Sequence, residues 1–247
     1  MSSLANPAIL ASAYGQLLGL LVEAPEIDAV LEKMVGLAAE VVTPAVACGV
    51  TVRRDGQPFT AATTNELAAR VDQVQYVSDQ GPCLDALRHG EVVQVDDLNH
   101  EVRWDSYRAH AVAHGVRSSL SLPLTVEGET LAALNLYSVT PSVFGGSHRE
   151  SAEAFADKSA AALTVSLRQV RQARVQNQLA DAMVSSSVID HAIGILMGQQ
   201  RCTATVAFDL LRKASQHRNR KLRDIAAELV TRVSGAPPQP RPGFRVD

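Results

Sequence analysis

The sequence predicts an α+β protein: an antiparallel sheet with flanking helices, then a long helix suited to a coiled coil, then a small three-helix bundle. Three observations predict it. First, β-type segments sit beside tight-turn signals, AVACGVTVRR ahead of Asp55-Gly56 and the pair VRSSLSLPLTV and TLAALNLYSV around Glu127-Gly128-Glu129. Second, from about Ser151 onward no strand signal returns, and Ala, Leu, Gln and Arg dominate without Pro or Gly until Gly194. Third, the charge changes sign along the chain. Residues 1–163 carry 10 Lys/Arg against 20 Asp/Glu, a balance of −10, and residues 164–235 carry 11 against 5, a balance of +6, within a formal total of −3.

At the N-terminus, MSSLANPAILASAYGQLLGLLVEAPEID has no basic leader and is interrupted by Gln16 and Glu23, which does not read as a secretory signal. No stretch approaches the roughly 18 to 20 unbroken apolar residues of a membrane span, so a soluble, cytoplasmic protein without membrane contact is expected. After Pro25, Ile27, Val30, Leu31, Met34, Leu37, Ala38 and Val41 recur at helical spacing. AVACGVTVRR and a second short strand near Phe59 to Thr64 then form a hairpin. Segments 116–126 and 130–139 form a longer hairpin with Leu120, Leu122, Leu124, Leu134 and Leu136 turned inward and Pro123 at a bulge or edge.

In the long helix, Leu163, Leu167 and Val170 fit a heptad seam that Val175, Leu179 and Ala182 resume after a shift, which predicts a homodimer through residues 152–184. At 1.5 Å per residue such a helix outreaches a small domain. Two shorter helices follow. Thr203 is placed to cap one through Ala207, Phe208, Leu210, Leu211 and Ala214, and Asn219 to cap a second through Leu222, Ile225, Ala226, Leu229 and Val230 that Gly235 stops. Gly194 inside a helix predicts a close neighbour, with Phe208 or Leu211 over it. Ile195, Leu196, Phe208, Leu211, Leu222, Ile225 and Leu229 would close a small core. The Pro-rich end, APPQPRPGFRVD, reads as a disordered tail.

The cysteines, Cys48, Cys83 and Cys202, are far apart and show no CxxC spacing, against both a disulfide framework and a zinc site. Cys83 follows Pro82 at a helix start, where a thiolate could be stabilised, although a small buried apolar residue is the simpler reading. His110 and His114 share an i, i+4 face that would suit haem, but Trp104 and Tyr107 nearby favour an amphipathic surface helix. No catalytic residue, metal or cofactor is assigned. By contrast Arg212, Lys213, Arg218, Arg220, Lys221 and Arg223 crowd the second connection of the C-terminal bundle with little acidic compensation, as a polyanion site would.

The stretch DQGPCLDALRHGEVVQVDDL (79 to 98), Arg103-Trp104 and GVRSSLSLPL with GETLAALNLYS resemble a GAF domain over roughly residues 8–163. GAF domains hold cyclic nucleotides, haem, bilins, small metabolites or nothing, so the resemblance implies a sensor fold with an unknown ligand. The Asn-Lys-Phe-Asp-Glu signature tied to cyclic-nucleotide binding has no counterpart here. Residues 188–230 resemble an ANTAR domain, the three-helix RNA-binding module of bacterial antiterminators. Its motif pieces here are Ala192-Ile-Gly194-Ile-Leu196-Met197, Ala207-Phe208-Asp-Leu210-Leu211-Arg212-Lys-Ala214-Ser215 and Asn219-Arg220-Lys221-Leu222-Arg-Asp224-Ile225-Ala226. One position departs from the pattern: the residue after the motif Ala, often Lys, is Ile193.

The order is that of actinobacterial-type GAF and ANTAR antitermination regulators. It implies a GAF-like domain over 8–163, a coiled-coil linker over 164–184, an ANTAR domain over 185–235 and a tail over 236–247. It also implies RNA hairpins in nascent transcripts as partners, with Arg212, Arg218, Arg220 and Lys221 on phosphate and Ser215 and Asn219 reading unstacked loop bases. A DNA-binding helix-turn-helix regulator is the first alternative. A GAF-type methionine sulfoxide reductase using Cys48 and Cys83 is the second.

Overall fold

The computed structural model describes residues 7–22, 26–43, 45–54 and 56–238, and the side chains among them except those of residues 180–184. The helices are α1 (Pro7–Val22), α2 (Ile27–Val41), α3 (Glu66–Ser78), α4 (Pro82–His89), α5 (Asp105–Ala113), α6 (Ser147–Gln200), α7 (Ala204–Arg218) and α8 (Leu222–Ser234). The strands are β1 (Ala47–Arg54), β2 (Gln57–Thr63), β3 (Val93–Val95), β4 (Ser118–Val126) and β5 (Glu129–Ser138). The chain divides into two compact units, Met1–Val170 and Arg171–Asp247, with the boundary inside α6. Among the described residues no helix is long and apolar enough to cross a membrane.

The first unit is built on a five-stranded antiparallel sheet in the order β2-β1-β5-β4-β3. Glu127 and Gly128 both have positive φ, 53° and 88°, so β4 and β5 are joined by a two-residue turn of the primed kind that matches strand twist. Pro123 lies beyond the last β3 partner, Ser121, where β4 is locally an edge and an absent N–H costs nothing.

Alternation along the strands then sorts the side chains. Leu120, Leu122, Leu124, Leu134, Leu136, Cys48 and Val50 face α1, α2 and the start of α6 and meet Leu17, Met34 and Phe155 in the main core. The opposite face is covered by α3, α4 and α5, where Val71, Trp104, Tyr107 and Leu84 are buried. Helix α1, which the sequence reading did not assign, supplies Ala13, Leu17 and Leu21 at a four-residue spacing.

The structure corrects the expected coiled-coil seam. Leu163 is buried in the sheet core at 3% exposure and Leu167 packs partly against it. Among the described residues, the large apolar side chains that α6 leaves exposed are Val165, Val170, Val175, Leu179 and, near its end, Met197, while Ala182 lies outside the described side chains. Residues 239–247, most of the expected tail, also lie outside the described residues.

The second unit closes on Val188 and Ala192 of α6, Leu211 of α7 and Ile225, Ala226 and Val230 of α8. Three expectations change here. Phe208 is exposed, and its expected place in the core is taken by Leu211 with Ala207 alongside on the buried face. Asn219 does not cap α8. It ends α7 in the left-handed conformation, φ 49° and ψ 43°, a role Asn fills because its short polar side chain tolerates that region, and Lys221 is the N-cap of α8. Finally, nothing lies within 4 Å of the position a Cβ would take on Gly194, so the close approach falls instead on the fully buried Ala192. Gly194→Ala should therefore raise stability, by up to about 1 kcal/mol, since it restores helix propensity without a clash. A lower melting temperature for this variant would mean that another surface covers that face.

Candidate functional site

Two places concentrate polar chemistry, one in each unit. In the second unit, α7 turns into α8 through Asn219, Arg220 and Lys221. Ser215 holds this turn from both sides: its hydroxyl donates to the Arg220 carbonyl at 2.5 Å, and the Arg220 N–H donates to the Ser215 carbonyl at 3.1 Å. The Asn219 N–H donates to the Gln216 carbonyl, and the Lys221 carbonyl accepts from Asp224 and Ile225 to start α8. Ser215 is thus committed as a donor and keeps only acceptor capacity for a ligand, whereas the Asn219 side chain is exposed at the tip.

The expected lack of acidic compensation is corrected. Glu228 of α8 accepts from Arg218 at 3.3 Å, Arg220 at 2.7 Å and Arg232 at 2.9 Å. Its carboxyl is held below the usual carboxylate range, first by the Arg220 hydrogen bond and then by the charges of Arg218 and Arg220. Three guanidiniums around one carboxylate leave a net positive cluster whose arginine side chains are about half exposed for Arg218 and Arg220 and more so for Arg232. Arg212 stands nearly two turns back on α7 and pairs with Asp209 at 3.2 Å, so it is not part of this cluster. Arg232 and Glu228 were not singled out from the sequence. Their i, i+4 spacing was the available signal, because such a pair shares one helix face. Ile193, the departure from the motif, packs against the small core.

In the first unit the sheet face under α3, α4 and α5 carries a buried polar layer that periodicity alone did not reveal. Asp72 of α3 is fully buried and no cation pairs with it among the described residues. It accepts from Tyr137 at 2.5 Å, from Asn135 at 3.2 Å and from Thr60 at 3.2 Å. Burial outweighs these bonds and pushes its carboxyl up to about 7. Gln75 links the layer to α4, donating to the Tyr137 hydroxyl at 3.1 Å and accepting from the Cys83 N–H at 2.8 Å. Thr51 and Thr60 share the Tyr76 hydroxyl, each at 2.8 Å. On this same face Tyr107 Oη and Ser119 Oγ are buried beside one another, and Ser121 Oγ and Asn135 Oδ1 are buried with no hydrogen-bond partner among the described residues. The layer is closely filled: a Cβ on Gly49 would stand 2.7 Å from Asp72 Oδ2.

Cys83 lies in this layer at zero exposure, its thiol donating to Thr51 at 3.1 Å. Burial, with the nearby Asp72 adding to it, drives the thiol far above its ordinary value, which overturns the reading of a thiolate stabilised by the start of α4. Cys48 sits on the other face of the sheet, and burial pushes it up to about 12. His110 and His114 lie at the surface and bond back to their own helix, to the Ser106 and His110 carbonyls at 2.8 Å each. Among the described residues no group of three or more His, Cys, Asp or Glu is placed to hold a metal ion.

Comparison with known proteins places both units. Residues 24–164 match the GAF domain family and residues 177–230 match the ANTAR domain family. No curated protein matches the chain. Solved structures with a similar fold include the GAF domain of a phosphoenolpyruvate-protein phosphotransferase from Coxiella burnetii. It is 20% identical with a TM-score of 0.51, over 70% of this chain and 99% of that one. Free methionine-R-sulfoxide reductase from Neisseria meningitidis, in complex with its substrate, is 17% identical with a TM-score of 0.52, over 67% of this chain and 92% of that one. The reduced form of the Staphylococcus aureus enzyme is 15% identical with a TM-score of 0.51, over 66% and 99%. At these identities the likeness is one of fold. The chain belongs to the GAF domain family and carries an ANTAR domain behind its GAF domain.

Proposed function

We propose that this protein is a cytoplasmic antitermination regulator: its GAF domain takes an input and its ANTAR domain binds hairpins in nascent transcripts. The observation that carries the reading is the ANTAR match over residues 177–230. The cationic turn fits it, because Arg218, Arg220, Lys221 and Arg232 gather where a phosphate backbone can reach them. Lys221 and Asn219 stand at the tip, while Arg212 serves from the side of α7 and Ser215 acts chiefly by holding the turn.

We read the chain as a regulator and not an enzyme. A reductase needs a pair of thiols that can meet, and Cys48 and Cys83 lie on opposite faces of the sheet, both buried and both with raised thiol pKa values. The working form in this reading is a homodimer, but through a different face from the heptad first read. Between α1 and α6 runs an apolar groove of about 340 Å³ lined by Leu17, Leu18, Leu21, Ala161, Ala162 and Val165, with Leu18 63% exposed. Further along α6, residues 171–179 are all exposed, and a lone helical stretch in water is marginal without a partner. A second copy covers both, and two linked ANTAR domains bind more tightly than one.

Gel retardation with the full chain tests the RNA reading against the helix-turn-helix alternative. Structured RNA hairpins should be retained and duplex DNA of the same sequence should not, because a deep A-form groove and a loop present different contacts from B-form DNA. Equal retention of DNA would favour the alternative.

A further inference from the structure

Beside the cationic turn, α7 and α8 leave an open groove that the core of the second unit does not fill. Its floor is apolar, made by Leu196, Leu210, Leu211, Ala214, Ile225 and Leu229, and its rim is Arg218, Glu228 and Arg232. Leu210 remains 43% exposed there. The groove measures about 180 Å³. That is below the roughly 300 Å³ of pockets that enclose a whole small-molecule ligand. It equals about six water volumes, the size class of a single planar ring.

We propose that this groove takes one unstacked base of the bound RNA, with the Glu228 carboxylate meeting the donor groups of the base edge and the surrounding arginines meeting the flanking phosphates. The inference rests on the RNA reading above and names where sequence discrimination arises. Charge selects the occupant: three guanidiniums against one carboxylate repel a basic peptide and attract a polyanion. Shape selects further, since the base edges of a paired stem cannot enter while a loop base can turn out. Glu228 then sets the preference. An ionised carboxylate only accepts hydrogen bonds, so it favours a base with an exocyclic amine over uracil, whose single N3–H donor is flanked by two carbonyl oxygens that the carboxylate repels. In the unbound protein Glu228 holds Arg218, Arg220 and Arg232 together. Phosphates that engage those arginines free its oxygens for the base.

The test presents the full-length protein with RNA hairpins of constant stem and randomised loop and sequences those retained. One loop position should be enriched in amine-bearing bases, and removing the base there should weaken binding about ten-fold or more. Ala214→Met, which fills the groove, should bind the intact and the abasic hairpin equally, at the level of wild type on the abasic one. Glu228 is one-third exposed, and Glu228→Gln keeps an amide oxygen to accept from the arginines, with a melting curve to check that the fold is kept. This variant should still bind RNA but accept uracil at the enriched position. Retention of RNA with no base preference, or preferences unchanged in both variants, overturns the inference while leaving the RNA reading in place. Failure of every variant and the wild type to retain any hairpin removes both.

Discussion

Asp72→Asn should flatten the pH dependence of the GAF domain's stability and raise its melting temperature strongly at pH 8 and much less at pH 5. Asp72 titrates near 7 in the folded protein, against roughly 3.9 for an aspartate in an unfolded chain. Between these values the folded state holds a proton that the unfolded state has released. Stability is therefore highest at the acidic end of the window, falls as pH rises from about 4 to about 7, and is level above that. The loss is on the order of a few kcal/mol, since each pH unit in the window corresponds to about 1.4 kcal/mol. Asparagine keeps an acceptor for Tyr137 and Asn135 and turns its amide toward Thr60, whose hydroxyl can accept. Below about pH 4 a different group dominates. Asp97, held down to about 2 chiefly by its hydrogen bonds from Arg117, loses that support as it protonates, in wild type and variant alike. Parallel stability curves for the two proteins from pH 5 to pH 8 would show that Asp72 does not titrate as described.

Leu163→Glu and Val165→Glu, only two residues apart on α6, should fail in different ways. Leu163 is 3% exposed in the sheet core, so a glutamate there buries a charge among Leu and Phe side chains and should abolish folding of the first unit. Val165 is 41% exposed on the groove beside α1, so Val165→Glu with Leu18→Glu should fold with little loss of stability. In light scattering the double variant should have the mass of one chain where wild type has that of two. A folded double variant with the wild-type mass would remove the α1 and α6 groove as the dimer face.

These two cases also mark how far the sequence could be read. The hairpin of β4 and β5 was legible because alternation and Glu127-Gly128 agree on one register. So were α2, the long helical run and the Thr203 cap, each with a periodic stripe or a capping hydroxyl. Leu163 and Leu167 misled because a heptad seam and one face of an ordinary helix coincide over a few turns, and only the sheet decides which surface they meet. Asn219 is favoured both before and after a helix, so its type alone could not choose. Asp72 and Gln75 occupy positions of the buried stripe of α3 with Ala68 and Val71, and their polarity diluted the pattern that would have located them. Glu228 and its three arginines come from two helices and a turn, a convergence that spacing along one helix shows only for Arg232.

The central claim, that the ANTAR turn binds RNA through its cations, is tested most directly by titrating salt against hairpin binding. The full-length protein and its Arg218→Ala/Arg220→Ala variant should be compared on one hairpin. Each phosphate contact contributes roughly −0.7 to −0.9 to the slope of log affinity against log salt. The wild type should therefore lose affinity steeply, and the variant should bind more weakly at low salt with a slope flatter by about 1.5. Equal affinity and an equal slope for the two proteins would contradict the assignment of this turn as the RNA site.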